Sequence, residues 1–275
     1  LCAASLTVAG SARAALITLT TADGNGADSF VRGGFGIDPG SGGTFRSTNY
    51  GGSELSAVKF IQSGSGGGGL TIDYDNSFTR AAYFRFDLSG IGGTITGATL
   101  SLNLRATELG NSVPIVFNTI ADGHAQDAAP GAGGWTESGL TMENSGLLAD
   151  PAGLIQAINT SGFTVPGTPG PTVGPVIDWT HSGLVPRLNA DTNGLVTFVL
   201  IGAPLLSGRG VNFWTKENTV GALIPTLSLT VEPDQVAVAA PGTFTLLGLG
   251  LLTVGFARWR SRDRRQPRES IQTTT

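Results

Sequence analysis

Cysteine is almost missing from this chain of 275 residues: Cys2 stands alone, within the first few residues. The body therefore has no thiol, which excludes a disulfide framework, a cysteine-based zinc centre and a thiolate nucleophile. Histidine is nearly as scarce, with only His124 and His181. Asp122, His124 and Asp127 in ADGHAQD read as a solvated loop rather than a metal centre, because no second histidine or cysteine cluster supports them. His181 in IDWTHS reads as a local hydrogen-bonding group. There is no Gly-x-Ser-x-Gly elbow and no phosphate-cradling loop, so nothing singles out a catalytic centre. A carboxylate pair for glycoside hydrolysis would leave no sequence mark, since its separation is spatial. Lysine is limited to Lys59 and Lys216, and the net charge is −4. Nucleic acid needs a basic surface, and an acidic chain argues against that partner. Helical periodicity is scarce as well.

Alternation, by contrast, is plentiful. In AAYFRFDL, Ala82, Phe84, Phe86 and Leu88 fall on one face, with Tyr83, Arg85 and Asp87 on the other. GATLSLNLR sets Ala98, Leu100, Leu102 and Leu104 against Thr99, Ser101, Asn103 and Arg105; PTLSLTV does the same with Leu227, Leu229 and Val231. Period two with one apolar face marks half-buried antiparallel strands. LVTFVLI (Leu195 to Ile201) is continuously apolar and predicts a central strand, and VNFWT (Val211 to Thr215) predicts a short one. SGSGGGG, Ala128–Gly134 and Val165–Pro175 read as loops. Short helices are predicted at Ala152–Asn159 and Ser182–Asn189, the second weakened by Pro186. Many short strands without βαβ alternation predict one all-β domain, an antiparallel jelly-roll β-sandwich, over Leu16–Asp234.

Two terminal segments lie outside that domain. Leu1–Ala15 ends in Ala12-Arg13-Ala14, the small-residue pattern of a signal-peptide cleavage site. From Gln235 to Ala257 there is no charge, and Arg258, Arg260, Arg262, Arg264, Arg265 and Arg268 follow. A membrane span needs roughly 20 apolar residues, and clustered arginines stay on the cytoplasmic side. The expectation is a C-terminal transmembrane helix over 235–257 with a basic cytoplasmic tail over 258–275. The run APGTFTLLGLGLLTVGFARWR resembles the PEP-CTERM sorting tails of Gram-negative bacteria, with Pro241, Gly242, Arg258 and Arg260 as its marks. Ala-Pro-Gly stands where the family usually has Pro-Glu-Pro. The resemblance implies export to the cell envelope and an exosortase-type processing enzyme as partner.

The body also resembles a family. ADSFVRGG, STNYGGSELSAVKF, TRAAYFRFDLSG, GGWTESGLTMEN, VIDWTHSGLVPRL and GVNFWTKEN occur in the order found in DNRLRE-type domains, the family 96 carbohydrate-binding modules. Trp179 departs from the pattern, replacing an aliphatic residue. The resemblance implies a jelly roll that binds polysaccharide of the uronic-acid type, without catalysis. Arginine forks pair with carboxylates and aromatic faces hold sugar rings. The candidate contacts are Arg32, Tyr50, Arg80, Tyr83, Arg85, Trp214 and Lys216, with Trp135 and Trp179 as packing residues. No organic cofactor is expected; among the aspartates, Asp28 and Asp87 are candidate ligands for a structural Ca²⁺. The competing expectations are a surface protein without ligand and a polysaccharide lyase or hydrolase.

Overall fold

The computed structural model describes residues 13–63, 71–108, 111–158, 163–167, 174–203, 208–219 and 223–234. The sorting residues Pro241, Gly242, Arg258 and Arg260, the expected transmembrane helix and most of the signal remnant lie outside the described residues. Among the described residues no helix is long and apolar enough to cross a membrane.

The alternating segments all form strands, and the fold is antiparallel all-β. In chain order they are β1 (Ala15–Thr20), β2 (Ala27–Arg32), β3 (Leu55–Lys59), β4 (Gln62–Ser63), β5 (Thr71–Ile72), β6 (Arg80–Asp87) and β7 (Thr94–Thr107). There follow β8 (Val113–Ile120), β9 (Ile155–Ala157), β10 (Phe163–Val165), β11 (Val176–Trp179), β12 (Leu195–Gly202), β13 (Gly210–Trp214) and β14 (Thr226–Glu232). The continuous apolar run is central, as its composition requires: β12 pairs β6 on one side and β8 on the other, and every residue of it is buried.

β7 is long enough to serve three partners. Its first part pairs β14, Leu100–Asn103 pair β11, and Leu104–Thr107 pair β13. Its inward leucines, Leu100, Leu102 and Leu104, join Val211, Phe213, Leu227 and Leu229 in one apolar cluster. The same cluster takes Ala82, Phe84 and Phe86 of β6, Phe117 of β8 and Phe198 of β12. Burying such side chains contributes roughly 1.5–3 kcal/mol each.

The other face of β6 differs from its polar reading. Ala81 and Tyr83 pack in a second apolar cluster with Trp135, Leu140, Met142, Leu147 and Leu154. Those five come from the long segment between β8 and β9, which lies over the face that alternation assigned to solvent. The helical expectations fared unequally. α2 (Leu184–Asn189) forms where predicted. Pro186 is tolerated because first-turn N–H groups have no intrahelical acceptor. The other helix, α1, is only Pro151–Leu154, capped by Asp150 accepting from the Gly153 N–H at 2.9 Å. Ile155–Ala157 instead pair β8 as β9, so pairing with a sheet edge overrides the helical tendency.

Candidate functional site

Arg32 closes β2 and Arg80 opens β6, and the register sets them directly opposite each other. Lys59, at the end of β3, also lies opposite Arg80. Like charges facing across strands repel. Lys59 is neutralised by Glu108, whose two carboxylate oxygens accept at 2.8 and 2.7 Å. The Arg32 Nε donates to the Ser77 carbonyl at 2.7 Å, and its guanidinium lies 3.4 Å from the centre of the Phe45 ring. Arg80 is half-buried and makes no hydrogen bond or ion pair with a described residue. Burial and then the positive charge of Arg32 lower its pKa. The Glu108 carboxylate, held by Lys59, works in the opposite direction and offsets part of this; a further anion would offset more.

Tyr50 belongs to the same edge. Its ring stacks on Phe30 of β2 at 4.4 Å, and its hydroxyl donates to Asp38 Oδ2 at 2.9 Å. Burial and the Asp38 carboxylate push the phenol up to about 12. Two abutting turns carry exposed aromatics here, Phe35 after β2 and Phe78 before β6, at 67% and 52% exposure. A side chain at Gly34, φ +86°, would collide with Ser77, so glycine allows those turns to close on each other. Arg46 lies 4.6 Å from the Phe35 ring centre, while Lys59 Nζ lies 5.3 Å from that of Phe78. Arg46 is also paired with Asp75 at 3.0 Å. Arg32, Tyr50 and Arg80 are thus brought together, with aromatic and cationic neighbours that the alternation pattern did not single out. The signal missed was the pair of isolated phenylalanines in Gly- and Asn-rich turns.

The remaining expected contacts are elsewhere. Tyr83 and Arg85, expected on an exposed face, are 0% and 3% exposed. Arg85 donates to the carbonyls of Asn25 and Trp135, each at 2.7 Å, and lies 4.5 Å from the Trp135 ring centre. Burial lowers its pKa to about 10. Tyr83 meets Trp135 edge-on at 5.8 Å. Trp214 is also buried, with the Arg105 guanidinium 5.6 Å from its ring centre. These three side chains present no surface to a polymer. Lys216 is committed to Glu137 at 2.6 Å and to Glu217. Trp135 and Trp179 are packing residues: Trp135 Nε1 donates to Thr197 Oγ1 at 3.2 Å, and Trp179 stacks on Phe117 at 4.0 Å. His181 Nδ1 accepts from the Gly183 N–H at 3.1 Å, and His124 Nδ1 accepts from that of Gln126.

The two expected calcium ligands are not brought together. Asp87 Oδ2 accepts from the Asn25 N–H and Nδ2 at 2.8 and 2.9 Å. Asp28 gathers instead with Glu137 and Glu217, one oxygen from each lying within 4.8 Å of the others. Its partners come from WTES and WTKEN, so those motifs held a signal that spacing between aspartates missed. Asp122, Asp127 and Asp191 form a second carboxylate group within the same limit. Burial first, and neighbouring aspartates after it, raise Asp127 and Asp191 to about 6 each. Either group could hold an oxygen-seeking cation.

No protein-family model matches the chain, and no curated protein matches its sequence.

Proposed function

We propose that this is an exported, non-enzymatic protein whose DNRLRE-like jelly-roll body binds anionic polysaccharide at the Arg32–Arg80 edge. The observation that carries the reading is the half-buried Arg80 guanidinium, opposite Arg32 on the adjacent strand and without a hydrogen bond or ion pair to a described residue, the Glu108 carboxylate acting on it only through its charge. A carboxylate placed between the two forks would accept charge-assisted hydrogen bonds and relieve the repulsion. Phe35 and Phe78 supply apolar faces on either side, suited to the C–H surfaces of sugar rings. The uncharged stretch Gln235–Ala257 and its arginine stop support a body held outside the inner membrane, where such polymers occur. A repeating polymer meets many tethered copies, so weak single contacts add up.

Affinity electrophoresis through alginate, pectin and a neutral glucan tests this. Retardation is expected in the two uronic-acid polymers and not in the glucan. Replacing Arg80 by Gln removes a charged hydrogen-bonding partner worth about 1.5–3 kcal/mol, so retardation falls by roughly 10- to 100-fold in affinity. Unhindered migration in every gel favours a surface protein without ligand. Release of reducing or unsaturated ends from the polymer favours an enzyme.

A further inference from the structure

Away from the Arg32–Arg80 edge, a hollow lies where the segment covering β6 meets the chain that leaves β8. Its volume is about 250 Å³, and three of its eight lining residues are glycine. Gln126, Thr136 and Asn144 supply its polar lining, Trp135 and Leu140 its apolar lining. No charged side chain among the described residues lines it. The local sequence explains the shape. Gly134 runs against the Ala128 carbonyl, where a side chain would collide with that oxygen, so the loop between them closes on itself. At Gly133 a Cβ would meet nothing within 4 Å, which leaves the hollow open on that side. Trp135 is held in place and does not turn to fill it. Its Nε1 donates to Thr197 Oγ1, the Arg85 guanidinium lies near its ring and Tyr83 meets it edge-on.

The polar groups here have bonding capacity to spare. Gln126 Nε2 donates to the Asn144 carbonyl at 2.5 Å, yet Gln126 Oε1 is buried without a partner. Buried acceptors nearly always have a donor. Asn144 Nδ2 donates to the Gly139 carbonyl and Asn144 Oδ1 accepts from the Thr141 N–H, both at 2.8 Å. One N–H of the Asn144 amide is left over. The Thr136 hydroxyl makes no hydrogen bond with a described residue. An acceptor, a donor and a hydroxyl that is both stand beside an indole and a leucine. That set suits the hydroxyls and the C–H face of an uncharged sugar ring. A carboxylate or phosphate would be desolvated here without a countercharge.

We propose that this hollow is a second subsite, which takes one neutral sugar ring. Thr136 and Asn144 hold ring hydroxyls, and another hydroxyl gives Gln126 Oε1 the donor it lacks. The terminal torsion of glutamine is broad, so the amide turns to meet that hydroxyl at little cost. Ligand sites usually measure about 300–1,000 Å³, so this one admits a single ring and not a run of them. The subsite goes beyond the polymer edge and shares no residue with it. One contact of this kind is weak, and the few chain ends in a glucan gel do not retard the protein through it.

Nuclear magnetic resonance on the isotope-labelled full chain is the test. The probes are the methyl glycosides of glucose, galactose and mannose, with sodium glucuronate as the charged control. At least one neutral glycoside is expected to shift, saturably, the side-chain amide signals of Gln126 and Asn144 and the indole signal of Trp135. Glucuronate is expected to leave those signals in place. Thr136→Val keeps the shape and breaks no hydrogen bond to a described residue, and it should weaken the binding about fivefold, the worth of one neutral hydrogen bond. A neutral tetrasaccharide that binds as tightly as its methyl glycoside assigns the ring to a chain end. Loss of binding on lengthening assigns it to a free sugar, and either outcome supports the subsite. Three results overturn it: no neutral glycoside moves these signals, glucuronate moves them equally, or Thr136→Val binds as the wild type does. Retardation in alginate is read through Arg80 and in a separate measurement, so failure of one site leaves the other standing.

Discussion

Arg85 illustrates how one side chain can look like a surface cation and act as a structural post. Its guanidinium ties the carbonyl before β2 to the carbonyl of Trp135, holding the covering segment on the sheet. Leu at this position keeps the volume and removes both charged donors. Arg85→Leu is expected to lower the unfolding free energy by about 2 kcal/mol or more, read from urea denaturation. It should leave polymer retardation unchanged in the fraction that remains folded, because the side chain does not reach the Arg32–Arg80 edge. Arg32 and Arg80 were both singled out from the sequence, but their pairing was not, because only the β2–β6 register sets them opposite each other. Arg85 and Tyr83 were misread for one physical cause. Period two tells which residues share a face, and it cannot tell what lies over that face.

Among the elements, strands with strong alternation or continuous apolarity were legible, and those held by their neighbours were not. β6, β7, β12 and β14 carry their pattern within themselves. β9 has the letters of a helix and becomes a strand because β8 offers an unpaired edge. β11 is four residues long, and its Trp179 was the departure from the family pattern. That indole lies flat between Phe117 of β8 and His181, with ring separations of 4.0 and 6.0 Å. A planar stack at this point ties the short strand to β8. Phe117→Ala opens a cavity in it and is expected to cost about 3–5 kcal/mol, measured by chemical denaturation with folding checked by near-ultraviolet circular dichroism. A loss below about 1 kcal/mol would mean that the stack contributes little to holding β11.

At the scale of the molecule, charge is unevenly placed. The chain is acidic, with a net charge of −4, yet the proposed polymer edge gathers Arg32, Arg46, Lys59 and Arg80. Arg46 and Lys59 are already paired with Asp75 and Glu108, so under the proposed reading an acidic polymer would be drawn chiefly by Arg32 and Arg80 against a repelling net charge. Since the Debye length shrinks from about 10 Å at 0.1 M salt to about 3 Å at 1 M, retardation in alginate should weaken steeply over that range. Retardation that survives 1 M salt would point to aromatic stacking as the main contact. Location is tested at the same scale: a reporter fused to the full chain before Gln235 should be active only beyond the inner membrane, and cytosolic activity would remove the reason to invoke an extracellular polymer. None of this was visible in net charge alone, because the sum hides the clustering that the β2–β6 register creates.

The shortage of lysine has a practical corollary. Lys59 and Lys216 are the only side-chain amines in the sequence. Both are tucked into ion pairs, their side chains 13% and 20% exposed. Reagents that couple through side-chain amines would find Lys59 beside Arg80 or Lys216 held by Glu137 and Glu217. A sensor chip or fluorescent label attached that way would tend to mask or distort the very surface under study, and an engineered cysteine on β1 gives a cleaner handle in a body that has no thiol to compete with it.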